Sequence, residues 1–113
     1  MEVVVGGKIN EMALLDEGSE IVVIRRDLWE ETGHGVNKER KMVMETANGG
    51  KEAMAGCAEY LKIEVGGIQT YAHAFIVPHA PFRLLLGRPW QRNVRLQRNE
   101  RPDGGVDVTV HDP

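Results

Sequence analysis

The carboxylate of Asp16 is the side chain in this sequence whose position is best suited to chemistry. It follows the short apolar run Met-Ala-Leu-Leu at residues 12–15, and Gly18 stands two residues after it. A buried strand ending at such a residue presents the carboxylate rigidly and with little surrounding water, so that desolvation and neighbouring charges shift its pKa. General acid–base chemistry is therefore one interpretation of Asp16. The other is an ordinary turn-forming aspartate between two strands, and the residues alone leave both open.

Other residues that could do chemistry give weaker signals. The single cysteine, Cys57, lies among small residues and is expected to be a buried hydrophobe and not a nucleophile. The histidines lack the spacing of metal ligands, since they are scattered over positions 34, 73, 79 and 111. We therefore predict no metal site and no cofactor.

Short strands joined by glycine turns are predicted to position Asp16. Apolar or alternating segments indicate strands at residues 3–5, 12–15, 21–24, 60–65, 72–77, 84–86 and 106–110. Asn48, Gly49 and Gly50 separate two further strand-like arms and predict a hairpin, because a primed turn needs positive φ angles. One short helix is predicted with Asp27 as its N-cap and Gly33 as its end, and a second begins around residues 87–90, where a proline stands in the first turn.

An internal repeat organises these elements. Residues 3–7, Val-Val-Val-Gly-Gly, resemble residues 63–67, Ile-Glu-Val-Gly-Gly, at an offset of 60. Each copy is followed by a second strand and by an apolar run that closes on a glycine, Gly18 in the first copy and Gly87 in the second. Two similar halves predict an all-β fold with pseudo-two-fold symmetry, built as a single domain over residues 1–113.

Composition and charge argue against several classes of function. The chain has 113 residues, 42% of them apolar, and a net charge of −3, which gives no general electrostatic attraction to nucleic acid. The C-terminal third is locally basic and is expected to be a locally paired surface; an RNA-contacting face built on Arg92, Arg95 and Arg98 is the remote alternative. No signal peptide and no apolar run of membrane-spanning length is recognisable, so a cytoplasmic protein without a membrane partner is expected.

Two motifs resemble those of one known family. Residues 13–21, Ala-Leu-Leu-Asp-Glu-Gly-Ser-Glu-Ile, resemble the catalytic loop of retropepsins, in which an apolar pair precedes Asp-Thr/Ser-Gly. Residues 84–90, Leu-Leu-Leu-Gly-Arg-Pro-Trp, are similar to the second retropepsin signature, and Asn48-Gly49-Gly50 stands between the two motifs, where the family has its flap. The resemblance covers roughly residues 3–110 and is greatest to the proteases of gypsy-type LTR retrotransposons. It implies a closed, retropepsin-like β-barrel with one or two short helices.

The resemblance also implies a mechanism that needs two chains. Retropepsins are homodimers in which one aspartate per protomer faces the other across a two-fold axis, and the pair shares a proton. Asp16 would be that catalytic residue, with Gly18 allowing close backbone approach and Ser19 bonding the outer oxygen of Asp16. Glu20 and Arg88 match family positions that form a structural ion pair. The substrate would be an extended peptide or a polyprotein.

The same resemblance assigns residues to substrate binding. Four apolar side chains would line the subsites for the substrate's side chains: Leu14, Ile21, Val23 and Leu85. The backbone of Asn48, Gly49 and Gly50 would cover the bound peptide.

Glu17 departs from the family pattern, which has Thr or Ser directly after the aspartate. Two glutamates beside two aspartates would place up to four carboxyl groups near one axis, and burying them unpaired is costly. Three outcomes are open: Glu17 turns outward to backbone N–H groups or a basic residue, it makes dimerisation favour acidic pH, or the chain has kept the fold and lost activity. The last outcome defines the alternative function, a catalytically silent module that dimerises or binds peptide.

Overall fold

The computed structural model describes residues 1–40, 43–45 and 51–113. It is mostly β, with two short helices, α1 (Arg26–Thr32) and α2 (Arg88–Asn93). The strands in chain order are β1 (Glu2–Val5), β2 (Ile9–Met12), β3 (Leu14–Leu15), β4 (Val22–Arg25), β5 (Val43–Glu45), β6 (Lys51–Ala53), β7 (Gly56–Val65), β8 (Ile68–Val77), β9 (Leu84–Leu86), β10 (Gln97–Glu100) and β11 (Val106–Thr109).

Seven of these strands form one sheet, in the order β2-β1-β7-β8-β4-β9-β3. The two edge strands, β2 and β3, are separated in the chain only by Ala13, so the sheet curls until its edges come together. Ala13 also exchanges backbone hydrogen bonds with Met1, at 2.7 and 2.9 Å. The nearly closed, barrel-like sheet confirms the predicted fold class. Two antiparallel ribbons, β5–β6 and β10–β11, lie outside it.

The sequence repeat corresponds to a structural one. Its two glycine pairs, Gly6-Gly7 and Gly66-Gly67, turn the β1–β2 and β7–β8 hairpins, and all four glycines have positive φ angles. The apolar runs that follow, β3 and β9, pair in parallel, with Leu15 opposite Leu86. The residues after these two strands, Asp16 and Gly87, therefore occupy corresponding places in the two halves.

The buried side chains form two clusters. The larger fills the barrel and includes Ile24, Leu61, Ile63 and Trp90. The smaller one includes Val23, Phe75 and Leu85 and lies on the other side of β4. Cys57 belongs to the smaller cluster and is fully buried, as its small neighbours predicted.

The helices lie close to their predicted places, with one error. Gly33 ends α1 with a φ of 68°, and Pro89 stands in the first turn of α2, as predicted. The prediction of Asp27 as N-cap was wrong, because Arg25 is the N-cap residue and Asp27 lies within the first turn. The Asp27 carboxylate accepts hydrogen bonds from Nε and Nη2 of Arg25, at 2.8 and 3.1 Å, and these bonds lower its pKa to about 2. Neither helix in the described part of the chain is long and apolar enough to span a bilayer.

A buried chain of hydrogen bonds fixes α2 to the sheet. The indole Nε1 of Trp90 donates to Oγ1 of Thr70 at 2.8 Å, and the Thr70 hydroxyl donates to the carbonyl of Ile63 at 2.6 Å. Thr70 and Ile63 are fully buried and Trp90 almost so, so that water cannot replace a lost partner.

Thr70→Val should lower the free energy of unfolding by about 1–3 kcal/mol, because it leaves the indole N–H without its acceptor. Valine keeps the volume and the strand preference of threonine, so the loss reports the hydrogen bonds. Urea denaturation measures it, with the exposed Thr109→Val as the control that should stay within about 0.5 kcal/mol of the parent. Equal stabilities of the two variants would contradict this role for Thr70.

Candidate active site

Asp16 is held by backbone at the end of β3. Its N–H donates to the carbonyl of Leu86 at 3.2 Å, which continues the parallel pairing of β3 with β9 beyond the strand. Its Oδ1 accepts a hydrogen bond from the N–H of Gly18 at 2.9 Å, and its carbonyl accepts one from the N–H of Ser19 at 3.3 Å. Asp16 as a residue is partly exposed. The turn therefore holds Asp16 in place, but it leaves the residue partly exposed where the sequence predicted little surrounding water.

Gly87 packs directly against the backbone of this loop. A Cβ at Gly87 would lie 2.1 Å from the carbonyl oxygen of Ile21 and 2.7 Å from that of Ser19. The next residue, Arg88, donates its N–H to the carbonyl of Ser19 at 2.8 Å. Only glycine fits here, so Gly87 belongs to the site, although we did not predict it as a site residue. The sequence indicated it only through its position after the second apolar run of the repeat.

The hydroxyl of Ser19 has a different partner from the one expected. Its Oγ donates to the carbonyl of Ile21 at 2.9 Å and accepts from the N–H of Ile21 at 3.3 Å, so it closes a local turn and does not bond the outer oxygen of Asp16. Short polar side chains often bond backbone two residues away in this manner. Ser19 therefore stiffens the loop from within.

Glu17 turns outward and pairs with a basic residue. Its Oε1 accepts a hydrogen bond from Nη1 of Arg98, on β10, at 3.0 Å, and both side chains are exposed. This geometry corresponds to the first of the three outcomes open for Glu17. In the described chain the glutamate is not buried beneath Asp16, so its charge carries no large desolvation cost.

A double-mutant cycle should detect the pair between Glu17 and Arg98 as a weak one. We expect Glu17→Ala and Arg98→Ala to couple by about 0.2–1 kcal/mol in the free energy of unfolding at low salt. At about 1 M salt the coupling energy should be smaller, because salt screens exposed ion pairs. Chemical denaturation of the four chains gives the coupling energy. A coupling of zero at low salt would show that the two side chains do not interact.

The predicted ion pair between Glu20 and Arg88 is part of a three-residue group. Oε1 of Glu20 lies 3.9 Å from Nε of Arg88, and its Oε2 accepts a hydrogen bond from Nη2 of Arg92 at 3.3 Å. These groups join the loop of Asp16 to helix α2, and Gln91 anchors the same helix by donating to the carbonyl of Leu86 at 2.8 Å. Arg92 and Arg98 are thus both paired with carboxylates, which agrees with a locally paired basic surface.

Three of the four predicted subsite residues lie on adjacent strands, and the fourth, Ile21, directly precedes β4. Leu14 on β3 is the register partner of Leu85 on β9, and Leu85 is the partner of Val23 on β4. Leu14 is 50% exposed, whereas Val23 and Leu85 are 2% and 6% exposed. Ile21 is partly buried and packs against the cluster of Val23 and Leu85. The structure therefore brings the four together, with Leu14 and Ile21 retaining accessible surface.

The predicted flap residues Asn48, Gly49 and Gly50 lie outside the described residues. The strands β5 and β6 on either side are described and pair antiparallel, with Glu45 opposite Lys51. The hairpin arms predicted from the sequence are therefore present.

Neither a thiol nor a metal offers an alternative chemistry in the described part of the chain. Burial raises the pKa of the Cys57 thiol, which disfavours the reactive thiolate. No group of three His, Cys, Asp or Glu side chains among the described residues is placed to hold a metal ion.

Comparison with known proteins agrees with this fold. The sequence model of the aspartyl protease family matches residues 1–90, and the chain belongs to that family. In structure it is similar to the retroviral protease-like domain of Ddi1 from Leishmania major, with a TM-score of 0.73 and 11% sequence identity over 96% of this chain and 90% of that one. At this identity the likeness establishes a retropepsin-like fold. No curated protein matches the sequence.

Proposed function

We propose that this chain is an aspartic endopeptidase that acts as a homodimer, with one Asp16 from each protomer. The observation that carries the proposal is the pairing of β3 with β9. Because of this pairing, Asp16 directly after β3 and Gly87 directly after β9 occupy corresponding positions in the two halves. One chain thus supplies one carboxylate where the reaction needs two. A second chain, related by a two-fold axis, would supply the other.

In this mechanism the two carboxylates share one proton, because two like charges so close cannot both ionise. The ionised Asp16 takes a proton from a bound water molecule, whose oxygen attacks the carbonyl carbon of the scissile peptide bond. The protonated Asp16 of the second protomer donates its proton to the carbonyl oxygen. The tetrahedral intermediate then collapses and the C–N bond breaks: the first Asp16 gives the proton that it took from water to the leaving nitrogen, and the second Asp16 takes back a proton from a hydroxyl of the intermediate as the carbonyl forms again. No covalent intermediate with the enzyme forms.

We propose an extended peptide as the substrate. Leu14 and Ile21, on either side of Asp16 in the chain, have accessible apolar surface, and Ile21 packs against the cluster that contains Val23 and Leu85. Asn48, Gly49 and Gly50 would close over the peptide from the β5–β6 hairpin. The resemblance to gypsy-type proteases supports a retroelement polyprotein as the natural substrate, and the lone, buried Cys57 fits processing in a reducing, cytoplasmic setting.

Glu17 supports a second candidate, a catalytically silent module of the same fold that dimerises or binds peptide. The family's hydroxyl at this position is replaced by a carboxylate, and that carboxylate pairs with Arg98. In the family this hydroxyl bonds to the partner's backbone across the dimer, and a silent chain could do without that contact.

Incubation with a peptide library between about pH 4 and about pH 7, with and without a pepstatin-type inhibitor, separates the two candidates. The protease proposal predicts cleavage that the inhibitor blocks, at protein concentrations where sedimentation shows the dimer. If the dimer forms and no inhibitor-sensitive cleavage occurs at any pH, the silent module replaces the protease.

A further inference from the structure

A cavity of about 660 Å³ lies beside the loop of Asp16, bounded by the β7–β8 hairpin, helix α2 and the loop residues Glu20 and Ile21. Its size falls within the range of about 300–1,000 Å³ that is usual for ligand sites. Asp16 is not among the residues that line it, so the cavity is distinct from the carboxylate centre.

One wall of the cavity is a row of rings on β8. Tyr71, His73 and Phe75 alternate along the strand and therefore share one face. Phe75 is the register partner of Val23 on β4. Val23 in turn pairs with Leu85. The row of rings thus connects the cavity to the smaller buried cluster, which contains Val23 and Leu85.

Tyr60 stands at the edge of the cavity in an unusual conformation. It lies in a β-bulge between Ala58 and Leu61 and has a φ of 54°, which is unfavourable for a residue with a side chain. Its N–H donates to Nδ1 of His73 at 3.1 Å, and its ring meets the His73 ring edge-on at 4.6 Å. Tyr60 remains 70% exposed and Tyr71 50% exposed. Exposed, oriented tyrosines beside a cavity are typical of recognition surfaces.

The other lining residues include one fixed indole and charged side chains that are already paired. Trp90 is fixed by its hydrogen bond to Thr70. At the rim, Glu20 pairs with Arg88 and Arg92, and Arg40 pairs with Glu59 at 3.1 Å. Because these charges have partners, the cavity does not select for a charged ligand, and its aromatic walls favour a large apolar one.

We propose that this cavity binds a large apolar or aromatic side chain of the substrate peptide, at a position remote from the scissile bond. Ile21 lines the cavity and also belongs to the loop along which the peptide would run. The inference rests on the proposed protease function for its substrate. Binding of an isolated side chain to the cavity requires no catalysis, so an experiment can contradict the cavity site without contradicting the protease function, and the reverse.

The test of binding uses N-acetyl-phenylalanine amide as the probe, followed by ¹⁵N–¹H correlation spectra of the labelled chain. We expect saturable shifts at Ile21, Tyr71, His73 and Trp90. The affinity should fall at least about fivefold in Tyr71→Ser and stay within about twofold in Tyr71→Phe, which keeps the ring. N-acetyl-alanine amide and N-acetyl-lysine amide should bind at least about fivefold more weakly than the phenylalanine amide. Equal binding of the three amides, no shifts at the cavity, or an unchanged affinity in Tyr71→Ser would overturn the assignment.

Cleavage of a randomised peptide library then tests the link to the substrate. The parent and Tyr71→Phe should favour peptides with an aromatic or large aliphatic residue at one remote position, and Tyr71→Ser should lose that preference while keeping the preference beside the scissile bond. Identical profiles in the parent and Tyr71→Ser would overturn the role in substrate selection. Saturable binding of the amide by a chain that cleaves no peptide would contradict the protease function but support the cavity as a ligand site.

Discussion

Replacing Asp16 by asparagine should reduce peptide cleavage by at least about 1,000-fold, because the amide can neither accept the proton of the attacking water nor donate one as a carboxylic acid does. The fold should persist. Oδ1 of an asparagine can still accept the hydrogen bond that Gly18 donates at 2.9 Å, so the turn keeps its shape. We expect the free energy of unfolding to change by less than about 1 kcal/mol. Steady-state cleavage and urea denaturation measure the two effects.

Asp103→Asn is the matched control for this substitution. Oδ1 of Asp103 accepts a hydrogen bond from the N–H of Gly105 at 2.9 Å, so the two aspartates make the same local turn. Asp103 lies in the turn between β10 and β11 and makes no hydrogen bond to the loop of Asp16 among the described contacts, so its asparagine variant should cleave within about twofold of the parent. Retained cleavage in Asp16→Asn would remove Asp16 from the mechanism.

Gly87→Ala should lower the free energy of unfolding by at least about 2 kcal/mol and abolish cleavage. The added Cβ would lie 2.1 Å from the carbonyl oxygen of Ile21, and backbone cannot rotate away as a side chain can. Either β9 or the loop of Asp16 must move, and the loop's bond from Arg88 N–H to the carbonyl of Ser19 would break. Thermal or urea denaturation measures the loss of stability.

Gly35→Ala is the control for the general effect of replacing glycine. A Cβ at Gly35 would meet nothing within 4 Å, and Gly35 is not among the residues with positive φ. That variant should be as stable as the parent within about 0.5 kcal/mol or slightly more stable, since alanine restricts the unfolded chain. If Gly87→Ala were as stable as Gly35→Ala, that result would contradict the close approach between Gly87 and the loop of Asp16.

The sequence predicted those parts of the fold that local rules determine. The glycine pairs at residues 6–7 and 66–67 need positive φ angles, which glycine adopts at no steric cost, and both turn hairpins. Gly33 ends α1 for the same reason. The apolar run before Asp16 likewise predicted that this residue directly follows a strand, which is β3.

What the sequence did not predict depends on contacts between distant residues. Glu17 and Arg98 are 81 residues apart in the chain, and no local pattern indicates that they meet. The close approach at Gly87 arises only when β9 packs against the loop of Asp16. Asp27 was predicted as an N-cap from its local pattern, but the guanidinium of Arg25 offered two stronger hydrogen bonds.

The most direct test of the central proposal is to mix chains that carry Asp16 with chains that carry Asp16→Asn. Cleavage is measured at constant total protein, at a concentration where sedimentation shows the dimer and after time for exchange of protomers. If each active centre needs Asp16 from two protomers, mixed dimers are inactive, and an equal mixture retains about a quarter of the parent's activity. An equal mixture that retains about half of the activity would show that each chain acts alone, and would contradict the proposal.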